Sequence, residues 1–82
     1  MVHSNRFTIC NRSSGIFWIA AEPEGEVVSL AAGEEVQVVE QFEKAPVTLY
    51  FEIDKNGLPG ISVWPGDGNM RVEKDGINIL EL

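Results

Sequence analysis

One histidine, His3, and one cysteine, Cys10, are all that the chain offers in imidazole and thiol chemistry. A nucleophilic thiolate or serine needs a positioned base, and His3 precedes Cys10 by seven residues along a segment that reads as extended. Cys10 is therefore expected to be an inert, largely buried thiol. A blue-copper centre, which small β-proteins can hold, takes two histidines, a cysteine and a weak axial ligand; with one histidine, copper is rejected. Asp54-Lys55-Asn56-Gly57 looks like the opening of a calcium loop, but Leu58, Pro59 and Gly60 follow and no acidic ligand closes it. It reads better as a hairpin turn, as do Asp67-Gly68 and Asp75-Gly76. Thirteen acidic residues would permit many carboxylate pairs for glycoside hydrolysis, yet no pair stands out without a cleft or a buried member. No enzyme, metal or cofactor is expected.

Aromatic and acidic residues remain. Tyr50 and Trp64 fall on the polar register of their strands, and if Ile53 pairs with Ile61 the two rings lie directly opposite one another. Such a pair is a candidate binding platform, because aromatic rings supply contact area at low entropic cost. Trp18 sits in Ile16-Phe17-Trp18-Ile19, apolar on both faces, which predicts a central strand or one whose outer face is covered or offered to a partner. Net charge is −7, and it is unevenly placed: no lysine or arginine occurs between Arg12 and Lys44, where Glu22, Glu24, Glu26, Glu34, Glu35, Glu40 and Glu43 fall. The other six acidic and six basic residues cancel. An acidic central third argues against nucleic acid as a direct ligand and makes a basic partner conceivable, with Glu22, Glu24 and Glu26 the residues proposed to engage it. The alternative is a solvated rim that maintains solubility.

Strands must position these residues. The strictest alternation lies in 47–53, where Val47, Leu49, Phe51 and Ile53 share one face and Thr48, Tyr50 and Glu52 the other, so this stretch is expected to anchor the core. Residues 7–10, 16–22, 26–30, 36–42, 61–64, 70–73 and 77–82 complete the set, with Val39 out of phase and expected at a bulge or on a two-sided strand. Lys74-Asp75-Gly76 signals a tight hairpin, and 1–5 are expected to fray. The predicted core is Phe7, Ile9, Phe17, Ile19, Val28, Val38, Leu49, Phe51, Ile53, Val63 and Val72. Even spacing, Gly/Asn/Asp punctuation and the lack of helical periodicity predict an all-β fold, a small antiparallel sandwich or partly open barrel of seven to eight short strands.

At 82 residues the chain makes one domain, burying only ~60% of its unfolded surface. A single cysteine excludes an internal disulfide. Residues 1–6 lack a signal-peptide core, and no apolar run approaches the ~20 residues of a membrane span. A cytoplasmic protein or an internal virion component is expected, so the Asn11-Arg12-Ser13 sequon reads as a turn rather than a glycan acceptor. Glu22-Pro23-Glu24-Gly25-Glu26-Val27-Val28, with Leu30-Ala31-Ala32-Gly33-Glu34-Glu35-Val36, resembles short uncharacterised all-β bacterial proteins, and the second stretch looks like a hairpin of Ig-like modules. That resemblance transfers no catalytic or binding residue. The expected function is a non-enzymatic interaction module that binds a protein partner, or itself, through a sheet face or acidic rim. A carbohydrate-binding module using Trp18, Tyr50 or Trp64, and an acidic inhibitor or immunity-type protein that blocks a basic groove, are the alternatives.

Overall fold

The computed structural model describes residues 1–81, with side chains through Ile79. Eight strands follow in order: β1 (His3–Cys10), β2 (Phe17–Ala21), β3 (Glu26–Leu30), β4 (Glu35–Phe42), β5 (Thr48–Ile53), β6 (Pro59–Trp64), β7 (Asn69–Lys74) and β8 (Ile77–Glu81). They form two four-stranded sheets, ordered β1-β4-β7-β8 (sheet A) and β3-β2-β6-β5 (sheet B), and every neighbouring pair is antiparallel except β2·β6. The all-β expectation holds, as two open sheets rather than a closed barrel. The last residue of the predicted final strand, Leu82, lies outside the described residues.

Alternation builds the core. Ile9, Val36, Val38, Met70 and Val72 from sheet A meet Ile19, Ala21, Leu30, Ile61 and Val63 from sheet B, with Phe7, Phe17, Val28, Val47 and Ile79 packed around them. Hairpin β7–β8 turns through Asp75 (φ 53°) and Gly76 (φ 79°); positive φ at both central residues is what a two-residue turn needs to match strand twist. Of the two expectations for Val39 the two-sided strand holds, for Val39 is half-buried on the outward face and pairs regularly with Arg6 on one side and Arg71 on the other, without a bulge. The irregularity falls instead between Val72 and Glu73. Strand β1 begins at His3, whose ring lies 5.2 Å from that of Phe42, so 3–5 extend the sheet where fraying was expected.

Two further expectations are corrected. Strand β5 contributes nothing to the core: Leu49, Phe51 and Ile53 are 37, 79 and 74% exposed. β5 is the edge strand of sheet B, and its apolar row extends beyond the buried cluster, which ends on that side at Ile61 and Val63 of β6. Cys10 is exposed as well. It ends β1 on the face opposite Phe7 and Ile9, and no element covers that face there.

Two buried polar groups tie the loops down and a third bridges strands. Asn11 donates from Nδ2 to the carbonyls of Gly15 (2.8 Å) and Leu30 (2.9 Å) and accepts from Ser13 N (2.9 Å) and Oγ (2.6 Å). Its amide is thus fully occupied inside the protein, in keeping with reading the sequon as a turn. Glu40, pointing inward, accepts from Asn5 Nδ2 (3.2 Å) and from Val47 N (2.8 Å), which fixes the approach to β5. Glu73 is held between Arg6 (3.1 Å) and Arg71 (2.6 Å) on the outer face of sheet A. Nearby, the exposed Asp67 carboxylate accepts from the backbone N–H groups of Glu43, Lys44 and Ala45 at 2.9, 2.9 and 3.1 Å, clamping the β4–β5 connection to the β6–β7 turn.

Candidate functional site

The two outer faces differ in kind. On sheet A, Arg6, Val39, Gln37, Arg71 and Glu73 share the outward register, and the charges are paired across β1, β4 and β7. On sheet B the registers place three rows side by side. Ser29, Trp18, Gly60 and Glu52 form the first, and Val27, Ala20, Ser62 and Tyr50 the second. Trp64 faces Thr48 in the third; Glu22 extends that row, since its N–H reaches Val63 O (2.9 Å) just past the β2·β6 ladder. The result is a shallow trough. Small residues Ala20, Ser62 and Gly60 floor it, larger apolar groups surround it, and the carboxylates of Glu22 and Glu52 belong to its lining.

Each wall has a local cause. Trp18 is half-buried and lies flat over Gly60, where a Cβ would run into its ring; its Nε1 donates to Leu58 O (2.9 Å). The aromatic therefore fills the gap that a glycine leaves in a strand, and in doing so pins the β5–β6 loop. That loop is closed at Asp54, whose carboxylate accepts from the N–H groups of Asn56 (2.8 Å) and Leu58 (2.9 Å). Here the turn reading of Asp54-Lys55-Asn56-Gly57 is realised, and among the described residues no His/Cys/Asp/Glu cluster of metal-binding geometry occurs. Glu52 accepts a hydrogen bond from Ser62 Oγ, which orients its carboxylate across the trough.

Tyr50 and Trp64 share this face as predicted, at 53% and 40% exposure, but in a different register. Because the loop closes between Asp54 and Leu58, Ile53 pairs with Pro59 rather than Ile61. Tyr50 then faces Ser62, and Trp64 is its diagonal neighbour, a separation that long aromatic side chains still bridge. With Phe51 and Glu52 the two rings line one concavity at the β5 edge. Of the acidic residues singled out, Glu22 is half-buried at the trough, whereas Glu24 and Glu26 are exposed around the β2–β3 turn, so the three do not converge on one point. Sequence reasoning missed Val27 and Leu58, which with Ile16 add apolar surface to the same face. Val27 stands at outward register on β3, the strand paired with that of Trp18, and Leu58 lies in the β5–β6 loop.

Among the described residues no helix is long and apolar enough to cross a membrane. Comparison with protein-family models, with curated proteins and with solved structures finds no match.

Proposed function

We propose that the protein is a non-enzymatic interaction module, acting in the cytoplasm, that binds a protein partner through the outer face of sheet B. The observation carrying this reading is the contrast between the two outer faces: the charges of sheet A satisfy one another, while sheet B leaves Tyr50, Trp64, Val27, Ile16 and Leu58 open to solvent on one side. Contiguous exposed apolar surface rimmed by polar groups marks interaction sites, and aromatic anchors dominate interface energetics. The carboxylates of Glu22 and Glu52, with Glu24 and Glu26 beyond them, favour a partner that brings a basic residue beside an apolar one.

The test is affinity capture with wild-type protein and a Tyr50→Ala/Trp64→Ala double variant, each checked for an unchanged melting temperature. A partner retained by the first and lost by the second supports the reading, and its release by salt should weaken when Glu22, Glu24 and Glu26 are replaced by glutamine. Binding of soluble glycans that depends on Tyr50 and Trp64, with no protein partner, would replace this function with carbohydrate recognition.

A further inference from the structure

The free edge of sheet B carries a second feature, distinct from its outer face. In an antiparallel ladder each residue directs both its N–H and its C=O to the same side, and successive residues alternate. Asp54 N–H donates toward β6, to Leu58 O (2.9 Å). Thr48, Tyr50 and Glu52 share that parity and bond β6, so the backbone groups of Leu49, Phe51 and Ile53 point away from the sheet. These are also the residues whose side chains are exposed beyond the core. One row thus presents unpaired backbone and uncovered apolar surface together. Edge strands ordinarily carry a lysine, a proline or a bulge that blocks such pairing; Thr48–Ile53 has none of the three.

We infer that β5 pairs with β5 of a second copy, antiparallel about a two-fold axis at Phe51, joining two sheets B into one of eight strands. The strand's own pattern argues for a copy over an unrelated strand. About that axis Leu49 meets the partner's Ile53, Phe51 meets the partner's Phe51, and Tyr50 meets the partner's Glu52, while Thr48 meets the partner's Asp54. Every apolar residue faces an apolar one and no like charges are opposed, the self-complementarity that an isologous interface requires. Six backbone hydrogen bonds close across the axis. The acidic excess lies within 22–43, outside the paired strand. An interface confined to one strand stays below the ~1,200 Å² total typical of stable complexes, so the dimer is weak and dissociates on dilution.

Sedimentation across a concentration series should show the 9.0 kDa chain converting reversibly to its dimer, with salt leaving the association unchanged or strengthening it, because two copies of net charge −7 repel through solvent. Amide exchange followed by NMR should show protection at Leu49, Phe51 and Ile53 that rises with concentration, and protection at Tyr50 and Glu52 that does not. Phe51→Lys should weaken the dimer at least about tenfold without lowering stability, since that side chain packs in no core. Trp64→Ala, which changes β6 and leaves every residue of the paired strand in place, should still dimerise, which separates this inference from the outer-face reading. A monomer at all concentrations, a dimer indifferent to Phe51→Lys, or pairing of the β5 edge with a foreign strand instead of a copy would each overturn it.

Discussion

Replacing Asn11 by alanine removes one buried side chain and four hydrogen bonds. The wild-type amide is fully enclosed, and the Leu30 carbonyl it satisfies is buried at the end of β3. Leaving such an acceptor without a partner costs ~1–3 kcal/mol. The bonds to Gly15 and Ser13 lie in a loop that water reaches, so their loss adds about 1 kcal/mol in total. The sum, ~2–4 kcal/mol, is a large fraction of the ~4–12 kcal/mol expected for a domain of this length. Urea unfolding followed by the fluorescence of Trp18 and Trp64 should show the midpoint falling with the slope unchanged. Asn11→Asp provides an internal control, because a carboxylate cannot donate to Gly15 and Leu30. Its folded pKa would be raised, so its penalty relative to wild type should be smallest below the unfolded value of ~3.9 and should grow as pH rises above it. A loss below ~0.5 kcal/mol for the alanine variant, or a pH-independent penalty for the aspartate, would refute the view that Asn11 organises the β1–β2 connection.

Gly60→Ala should displace the Trp18 ring, release its hydrogen bond to Leu58 and shift the indole emission, while Trp18→Phe should keep the cover over Gly60 and lose only the hydrogen bond; equal effects of the two would discount the close approach. Stability should also fall on acidification. Glu34 is held below the usual carboxylate range by its bond to Lys74 and the Ala31 N–H, Asp67 by the N–H groups of Glu43 and Lys44, and Glu73 by Arg71 and then Arg6. A depressed folded pKa means stability present above the unfolded values of ~3.9–4.3 and lost as pH falls through the folded ones. Asp67→Asn should therefore be less stable at neutral pH and show a shallower decline below about pH 4; an unaltered profile would count against the clamp.

The strand pattern was legible because turn chemistry and period-two alternation are local, and both survive in the finished fold. What covers each apolar face is not local. The alternation in β5 correctly separates Leu49, Phe51 and Ile53 from Tyr50 and Glu52, but an edge strand and a central strand can share that pattern, and only the sheet order decides which is buried. Cys10 illustrates the same limit, since its neighbours Phe7 and Ile9 say nothing about the opposite face. The register of Tyr50 against Trp64 turned on where the hairpin closes. Asp54, acting as the cap of its own loop, moved that point by two residues relative to Ile61. The trough itself depends on the parallel alignment of β2 with β6, two strands about forty residues apart with no local motif to announce their pairing.

That parallel seam also divides the molecule in an instructive way. Strands β1–β4 supply β1·β4 to one sheet and β2·β3 to the other; strands β5–β8 supply β7·β8 and β5·β6. Among the described residues only two ladders, β4·β7 and β2·β6, join these sets, and the chain crosses between them once, in 43–47. Each set is a half-sandwich with part of the core already arranged: Ile9, Ile19, Leu30, Val36 and Val38 on one, Ile61, Val63, Met70 and Val72 on the other. Severing the backbone at 46 would cut no strand and leave the Asp67 clamp on 43–45 as a bridge between fragments. If the two fragments so produced are mixed, the ladders β4·β7 and β2·β6 and the shared core are what would have to re-form between them.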